Sequence, residues 1–429
     1  MPAIITRGAM SAQGFGFGAS AAPQNCWIGT LGTSGQSDGG YSSTFDSSGN
    51  FYFGGVSAGF PAIDKYNSSG VIQWQNKINS ANYSTSIAYG MFTDSSGNIY
   101  VAGGQDGNGG AYISKFNSTG AFVWQEDFID ATAGSFAYST CVYVDSSSNV
   151  YVGGTATDNA SYTVGIICKL NSSGTVLWTQ RIGNSTNNFN VDAINADTSG
   201  NVYVSGRYTS GANVYAGILK FNSSGTLQWQ KYVTSGLSDF YGVSTDSSGN
   251  VYLSGGSANI MQLNSSGVIQ WQRSLLGANY AYSIAIDSLS NVYIAGGYPG
   301  NLAFSAKYNS SGSIQWQRKI GATSSGAFST GLQAISVDGK GNYYICGSSS
   351  AADASGDFFF AKLPSDGSKT GAYTVNGFSY TYAAGSYTDS ATSLTLSNSS
   401  LATSANYYSA STTSYTTSAT TLTSSVTTI

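Results

Sequence analysis

The chain contains no histidine and very little charge. Only 8% of its 429 residues are charged, with 16 basic and 20 acidic side chains, against about 25% in ordinary globular proteins. Without histidine there is no Ser-His or Cys-His catalytic arrangement, and the usual zinc ligand is missing. A net charge of -4 with so few basic residues gives no electrostatic footprint for DNA or RNA. We therefore expect no nucleic-acid partner and no cofactor.

Long apolar runs are absent as well. No stretch approaches the 18 residues that a membrane helix needs, and the opening MPAIITRGAMSAQGFGFG lacks the apolar centre of a signal peptide. We expect neither membrane insertion nor export by that route. Aromatic residues make up 14% of the chain, which argues against disorder for most of it.

Two short motifs recur through the sequence. The string DSSGN, or a close variant, begins at seven aspartates, at steps from 41 residues (Asp246 to Asp287) to 52 residues (Asp145 to Asp197): Asp46, Asp94, Asp145, Asp197, Asp246, Asp287 and Asp338. The string NSSGVIQWQ begins at Asn67 and returns with small changes at Asn117, Asn171, Asn222, Asn264 and Asn309. Both motifs are typical of tight turns, because an Asp or Asn side chain can form a hydrogen bond with the backbone two residues on and Gly accepts a positive φ.

Each repeat divides into four short strands, here called a, b, c and d. In the fourth copy these are residues 189–197, 202–206, 215–221 and 226–232, with the DTSGN turn between a and b and the NSSG turn between c and d. Four antiparallel strands in each period of 40 to 50 residues are the signature of a β-propeller.

The seventh copy lacks its own strand d. After Asp338 the chain supplies strand b at 342–347 and strand c at 357–363, but no tryptophan follows. The remaining tryptophan lies at the other end of the chain, so we expect residues 26–32 to close the ring as the missing strand. The predicted fold is all-β: a seven-bladed β-propeller of four-stranded antiparallel blades, closed by an N-terminal strand, plus a Ser/Thr-rich C-terminal segment. One equivalent position then holds Trp27, Trp74, Trp124, Trp178, Trp229, Trp271 and Trp316.

The predicted domain organisation has three parts. Residues 1–22 are an N-terminal arm and a possible anchor, residues 23–368 form the propeller, and residues 369–429 form a tail dominated by Ser, Thr and Tyr. The tail has too little apolar surface to fold alone. Two alternatives are open for it: disorder, or pairing as added strands with neighbouring subunits in a homo-oligomer.

The repeated unit resembles the bacterial β-propeller repeat labelled SBBP, and the NHL-type repeat in layout, over residues 23–368. Families of this kind include binding modules and a few enzymes, so the resemblance implies the fold and not the activity. The opening segment and the Ser/Thr-rich ending are similar to the ends of structural proteins of marine tailed phages. That resemblance implies a virion component, located on an extracellular particle and attached to other virion proteins through a terminal segment.

The repeated side chains are expected to be structural. Seven tyrosines, one in each strand b, should pack between blades, with the tryptophans nearer the rim. Six lysines end strand c on the same face as the aspartates, which predicts a girdle of Asp–Lys pairs and turn hydrogen bonds: Lys65, Lys115, Lys169, Lys220, Lys307 and Lys362. The alternative is a calcium ion in each DSSGN loop, but one carboxylate per loop provides too few of the roughly six to eight oxygen ligands that calcium binds. We expect no metal site.

The four cysteines are predicted to be free thiols. Cys141 and Cys168 fall in strands a and c of one blade, and Cys26 and Cys346 in strands d and b of another. An intervening strand would separate each pair by roughly 9–10 Å, beyond the ~7 Å that a disulfide tolerates.

Binding is expected on the opposite face, which carries the variable b–c and d–a connections. Aromatic and polar side chains in such loops suit a host-surface glycan or receptor. The candidate contacts are Phe60, Tyr83, Phe136, Tyr162, Arg207, Tyr208, Phe240, Tyr280 and Tyr298. The leading hypothesis is a non-enzymatic tail fibre, appendage or capsid decoration that displays the propeller for attachment.

The alternative is a polysaccharide lyase or hydrolase. Hydrolysis needs two carboxyl groups facing each other across roughly 5–9.5 Å. The only glutamate, Glu126, is followed by Asp127, while Asp106, Asp158 and Asp353 are scattered among the loops. No pair is brought together by the sequence, so catalysis is not expected.

Overall fold

The computed structural model shows an all-β protein. Its described residues form strands β1 to β36 and no helix, so none that could cross a membrane. The structure describes residues 26–428 except for 33–38, 58–59, 80–85, 106–109, 130–136, 158–162, 185, 235, 301, 323–327, 329–330, 350–356, 376–377, 399–402, 406–408, 413–415 and 420–422.

Within the described residues, strands β1 to β28 form seven antiparallel units of four strands, of which the second and third are joined in one sheet by the pair Tyr138↔Gly104. Blades 1 to 3 comprise β2 (Gly39–Phe45), β3 (Phe51–Ser57), β4 (Phe60–Tyr66) and β5 (Ile72–Asn79); β6 (Ser86–Thr93), β7 (Ile99–Gln105), β8 (Ala111–Phe116) and β9 (Phe122–Ile129); and β10 (Ala137–Val144), β11 (Val150–Thr157), β12 (Thr163–Leu170) and β13 (Val176–Ile182). Blades 4 and 5 comprise β14 (Asn187–Ala196), β15 (Val202–Ser210), β16 (Asn213–Phe221) and β17 (Leu227–Val233); and β18 (Phe240–Thr245), β19 (Val251–Gly255), β20 (Asn259–Leu263) and β21 (Ile269–Leu276). Blades 6 and 7 comprise β22 (Tyr280–Ile286), β23 (Val292–Tyr298), β24 (Leu302–Tyr308) and β25 (Ile314–Ala322); and β26 (Leu332–Val337), β27 (Asn342–Ser349), β28 (Asp357–Pro364) and β1 (Trp27–Gly32).

The blades form a closed ring. Strand a of each blade packs against strand a of the next, and β26 of blade 7 packs against β2 of blade 1. The N-terminal strand β1 pairs with β28 in the register Trp27↔Lys362, which matches Trp229↔Lys220 in blade 4. The predicted closure is therefore confirmed, and Trp27 occupies the same position as the other six tryptophans.

A buried hydrogen-bond network explains the spacing of the DSSGN motif. In blade 4, Asp197 Oδ1 accepts hydrogen bonds from the backbone N–H groups of Ser199 and Asn201, and Oδ2 accepts from Asn201 Nδ2 and the Tyr203 hydroxyl, at 2.8–3.1 Å. The same four bonds form at the other repeat aspartates. Each aspartate thereby fixes the a–b turn and ties strand b to it. The tyrosines that donate these bonds are Tyr52, Tyr100, Tyr151, Tyr203, Tyr252, Tyr293 and Tyr344.

Replacing Asp197 by Asn is expected to destabilise the propeller by about 2–3 kcal/mol, because an amide nitrogen at the Oδ2 position cannot accept the Asn201 and Tyr203 bonds. Chemical denaturation of the full chain measures the change. The control is Asp366→Asn in an exposed turn, where Oδ1 accepts from the Ser368 N–H. Equal midpoints for the two variants would contradict the network's importance.

Within the described residues, the ring lysines form the turn hydrogen bonds of the predicted girdle but none of its Asp–Lys ion pairs. Lys220 Nζ and Trp229 Nε1 both donate to the carbonyl oxygen of Ser265, in the NSSG turn of the next blade, at 3.0 and 3.2 Å. The lysine also lies 5.2 Å from the Tyr203 ring centroid. These donors therefore lock one blade to the next, and the same pairs converge on Ser68, Ser172, Ser223 and Ser365.

All four cysteines are buried free thiols, as predicted. Burial raises the pKa of Cys141 and Cys346 to about 12, which leaves them protonated and unreactive at neutral pH.

The C-terminal segment adds an outer strand to every blade. After β29 (Gly371–Val375), the chain runs backward around the ring, and each strand pairs antiparallel with the outermost strand of one blade. We call β30 to β36 the belt. From blade 6 back to blade 1 and then to blade 7, its strands are β30 (Phe378–Ala384), β31 (Thr388–Ala391), β32 (Leu396–Asn398), β33 (Thr403–Ala405), β34 (Ser409–Thr412), β35 (Thr416–Ala419) and β36 (Thr423–Thr428). Of the two alternatives for the tail, the strands thus pair, but with their own chain instead of neighbouring subunits.

Two glutamines of the Trp-Gln motif hold the belt between blades. Gln317 Nε2 donates to the Tyr387 carbonyl at 2.8 Å, and Gln317 Oε1 accepts from the Tyr387 N–H at 3.1 Å. Gln272 forms the same two bonds with Leu394, both at 3.1 Å. Each of these two amides acts as a one-residue extension of the sheet in blades 5 and 6, whereas Gln125 of blade 2 bonds Ser114 and Asp127 instead.

Candidate functional site

The two faces of the ring differ in what they carry. The turn face holds the a–b and c–d turns, and the loop face holds the b–c and d–a connections. On the turn face, Trp27 Nε1 donates to the Ser68 carbonyl of an NSSG turn, and Trp27 pairs in register with Thr428. Both ends of the described chain therefore lie on the turn face, opposite the variable loops.

A cavity of about 430 Å³ opens among the turns of blades 3 to 5. Asp145, Asp197 and Asp246 contribute to its lining, and each carboxylate already accepts turn and tyrosine hydrogen bonds. Within the described residues, no group of three or more Cys, Asp or Glu side chains is placed to hold a metal ion. The polar groups of this cavity serve the turns themselves.

The innermost strand of every described blade has a β-bulge at one sequence position. The register of strand a shifts around the residue that lies five positions before the repeat aspartate. Bulges redirect side chains and often occur beside functional sites. Because strand a is the inner edge of the blade, this position forms a ring around the central axis. The bulged residues are Tyr41, Tyr89, Thr140, Asp192, Tyr241, Tyr282 and Gln333.

Charged groups gather beside this ring at blades 4 and 5. Arg207 Nε donates to Asp239 Oδ1 at 2.5 Å, and the Ser238 hydroxyl donates to Asp239 Oδ2 at 2.7 Å. The Asp239 side chain is 3% exposed, whereas that of Arg207 is 46% exposed. The hydrogen bond to Asp239 raises the pKa of Arg207, with a smaller contribution from the charge of Asp192. The pair holds a charged guanidinium in a fixed place on the loop face.

Tyrosine rings continue this group into blade 6. Tyr241 contacts Tyr280 and Tyr282 edge-on, with ring centroids 5.8 and 5.6 Å apart. Tyr280 stacks on Tyr282 at 5.4 Å with an interplanar angle of 11°, and it is 41% exposed. Such contacts fix the orientation of an accessible ring. We define the mouth cluster as Asp192, Arg207, Asp239, Tyr241, Tyr280 and Tyr282.

The structure brings together two of the candidate contacts predicted from the sequence. Both interact with Tyr241: Arg207 through charge, and Tyr280 through a ring contact. Tyr208 and Phe240 are 5% and 1% exposed and belong to hydrophobic core clusters.

The remaining candidates are scattered or undescribed. Phe60 is half-buried, with Lys77 Nζ 4.0 Å from its ring centroid, and Tyr298 ends β23. Tyr83, Phe136, Tyr162, Asp106, Asp158 and Asp353 lie outside the described residues. Ligand contact by any of these side chains stays a prediction.

The sequence reasoning missed Asp192, Asp239, Tyr241 and Tyr282. The usable signal was the position five residues before each repeat aspartate, where Tyr, Asp, Thr or Gln interrupts an otherwise small or apolar strand.

Comparison with known proteins places the repeat in a family. A family profile described as outer membrane protein assembly factor BamB matches residues 109–355. Among solved structures, BamB from Moraxella catarrhalis is 16% identical, with 76% of this chain and 85% of that chain covered and a TM-score of 0.42. A protein of unknown function from Bacteroides caccae is 15% identical, with 68% and 93% covered and a TM-score of 0.40. The search of curated proteins returned no significant match.

Proposed function

Because the chain belongs to the BamB-like family of β-propeller repeat proteins, we propose that it acts by binding and not by catalysis. We further propose that it is a component of a phage virion and attaches the particle to a host surface. The fold of this family supports a binding or scaffold role. The resemblance of the two terminal segments to phage structural proteins supports the virion assignment, and with it an extracellular location and partners among the other virion proteins.

The observation that carries the proposal is the placement of the chain ends. Trp27 and Thr428 are paired on the turn face, so an anchor formed by either terminal segment would leave the molecule from that side. The loop face would then point away from the anchor, with the mouth cluster accessible. This is the arrangement that an attachment protein requires.

Locating the protein comes first in the test. Immunogold electron microscopy of the source material, with antibody to the propeller, is expected to label phage particles. Gold confined to a cell envelope would overturn the virion assignment, and it would favour an assembly role of the kind that the family description names. Gold on particles at a tail tip would support attachment, whereas gold over the capsid would support decoration.

Thiol labelling then tests the orientation. The native cysteines are buried, so a single introduced cysteine can be labelled selectively. Val214→Cys lies beside the b–c connection of blade 4, and Leu289→Cys lies in a turn of the opposite face; both positions are exposed. We expect maleimide to label both variants in the free protein, but only Val214→Cys in assembled particles. Protection of Val214→Cys instead would contradict the proposed display.

A further inference from the structure

We propose that the mouth cluster is a binding site for a neutral glycan. This inference rests on the proposed attachment function and names its site and its ligand class. The six residues come from three consecutive blades, but they form one continuous group because the bulge positions of neighbouring strands a lie side by side.

Aromatic geometry indicates a sugar. Tyr280 presents an exposed ring whose orientation is fixed by Tyr282 beneath it and Tyr241 beside it. The C–H groups of a pyranose face pack on such a ring, and a fixed ring loses little conformational freedom on binding.

Polar groups beside the rings supply the directional contacts. The guanidinium of Arg207 has five N–H donors in a planar fork, and Asp239 engages its Nε. The half-buried Asp192 carboxylate lies at the bulge of the same blade. Planar donors and acceptors of this kind recognise adjacent sugar hydroxyl groups by paired hydrogen bonds.

Local charge argues for a neutral ligand. One arginine is accompanied by two aspartates and three neutral tyrosines, so the formal charge of the mouth cluster is -1 at pH 7. An acidic sugar would bring its carboxylate or sulfate close to Asp192, and like charges in a partly buried site repel. We therefore expect neutral oligosaccharides to bind in preference to their sialylated or sulfated counterparts.

The test applies the purified full chain to an array that carries neutral oligosaccharides and their matched sialylated and sulfated forms. Binding to neutral members should fall roughly 3- to 10-fold for Tyr280→Ala, fall similarly for Asp192→Asn, and be retained by Tyr280→Phe. Leu289→Ala, on the turn face and 76% exposed, is the matched surface control. Thermal melting of each variant separates lost binding from lost folding.

Several outcomes would overturn the inference. Preference for the acidic forms, or neutral binding that Tyr280→Ala leaves unchanged, would exclude the mouth cluster as a neutral-glycan site. Absence of sugar binding by a chain that still binds host cells would refute the glycan site and leave the attachment function standing. Absence of both kinds of binding would refute the attachment function as well.

Discussion

Deleting residues 369–429 should lower the melting temperature by about 10 °C or more, since a change of 1 kcal/mol shifts the melting temperature of large domains by roughly 2–4 °C. The deletion uncovers the outer strand of every blade and removes the buried rings of Tyr380, Tyr382 and Tyr387. The ring of Tyr380 packs on Phe328 and Phe359. Removal of one such buried aromatic side chain lowers the free energy of unfolding by about 3–5 kcal/mol.

The uncovered strands should also make the truncated protein self-associate. Unpaired edge strands are templates for pairing with another chain. Scanning calorimetry measures the stability, and light scattering coupled to size-exclusion chromatography measures the mass. A chain that ends after residue 398 is the graded control, because it keeps the belt strands of blades 4 to 6. If the truncated protein melts at the same temperature as the intact chain and stays monomeric, the belt does not stabilise the ring.

Raising the pH above about 10 should unfold the propeller steeply. Burial raises the pKa of all seven network tyrosines, and the charge of the adjacent aspartate raises it further. A group whose folded pKa is above its unfolded value of about 10 contributes its full stability below that pH and loses it as the pH rises. Each tyrosine lowers the stability by about 1.4 kcal/mol per pH unit above that value, so the seven together lower it by roughly 10 kcal/mol per pH unit.

Tyrosinate absorbance at 295 nm, followed together with circular dichroism, tests this expectation. The network tyrosines should ionise only as the β-sheet signal is lost. Tyr203→Phe removes one titrating group and should reduce the network's contribution to the steepness by about one seventh, in addition to its effect on stability at neutral pH. Gradual ionisation of the network tyrosines in a chain that keeps its β-sheet signal would contradict the buried network.

The fold could be predicted because its signals are local and repeated. The DSSGN and NSSG turns fix strand ends, and the displaced Trp27 identified the closing strand. The bonds between the repeats were harder to foresee. Lys220 and Asp197 reach the same face, which favours a pair by charge alone, but the ammonium instead reaches the Ser265 carbonyl of the next blade.

The mouth cluster and the pairing of the belt could not be predicted from the sequence, for different reasons. The strand-like alternation of residues 379–400 indicates strands but does not identify their partners, and those partners lie up to several hundred residues away in the chain. The mouth cluster escaped because its residues lie in the innermost strands and not in the variable loops. Only a bulge, which adds one residue to the strand, makes Tyr241 and Asp192 available at the axis.

The belt also sets an order of events during synthesis. A ribosome makes the seven blades before it makes β30, and the belt then covers them in reverse, from blade 6 back to blade 1, before it reaches β1 in blade 7. A ring that closes before the belt has been synthesised therefore has bare outer edges. Translation speed over the last residues, and any chaperone that shields strand edges, then determine how many chains reach the belted form before they meet one another.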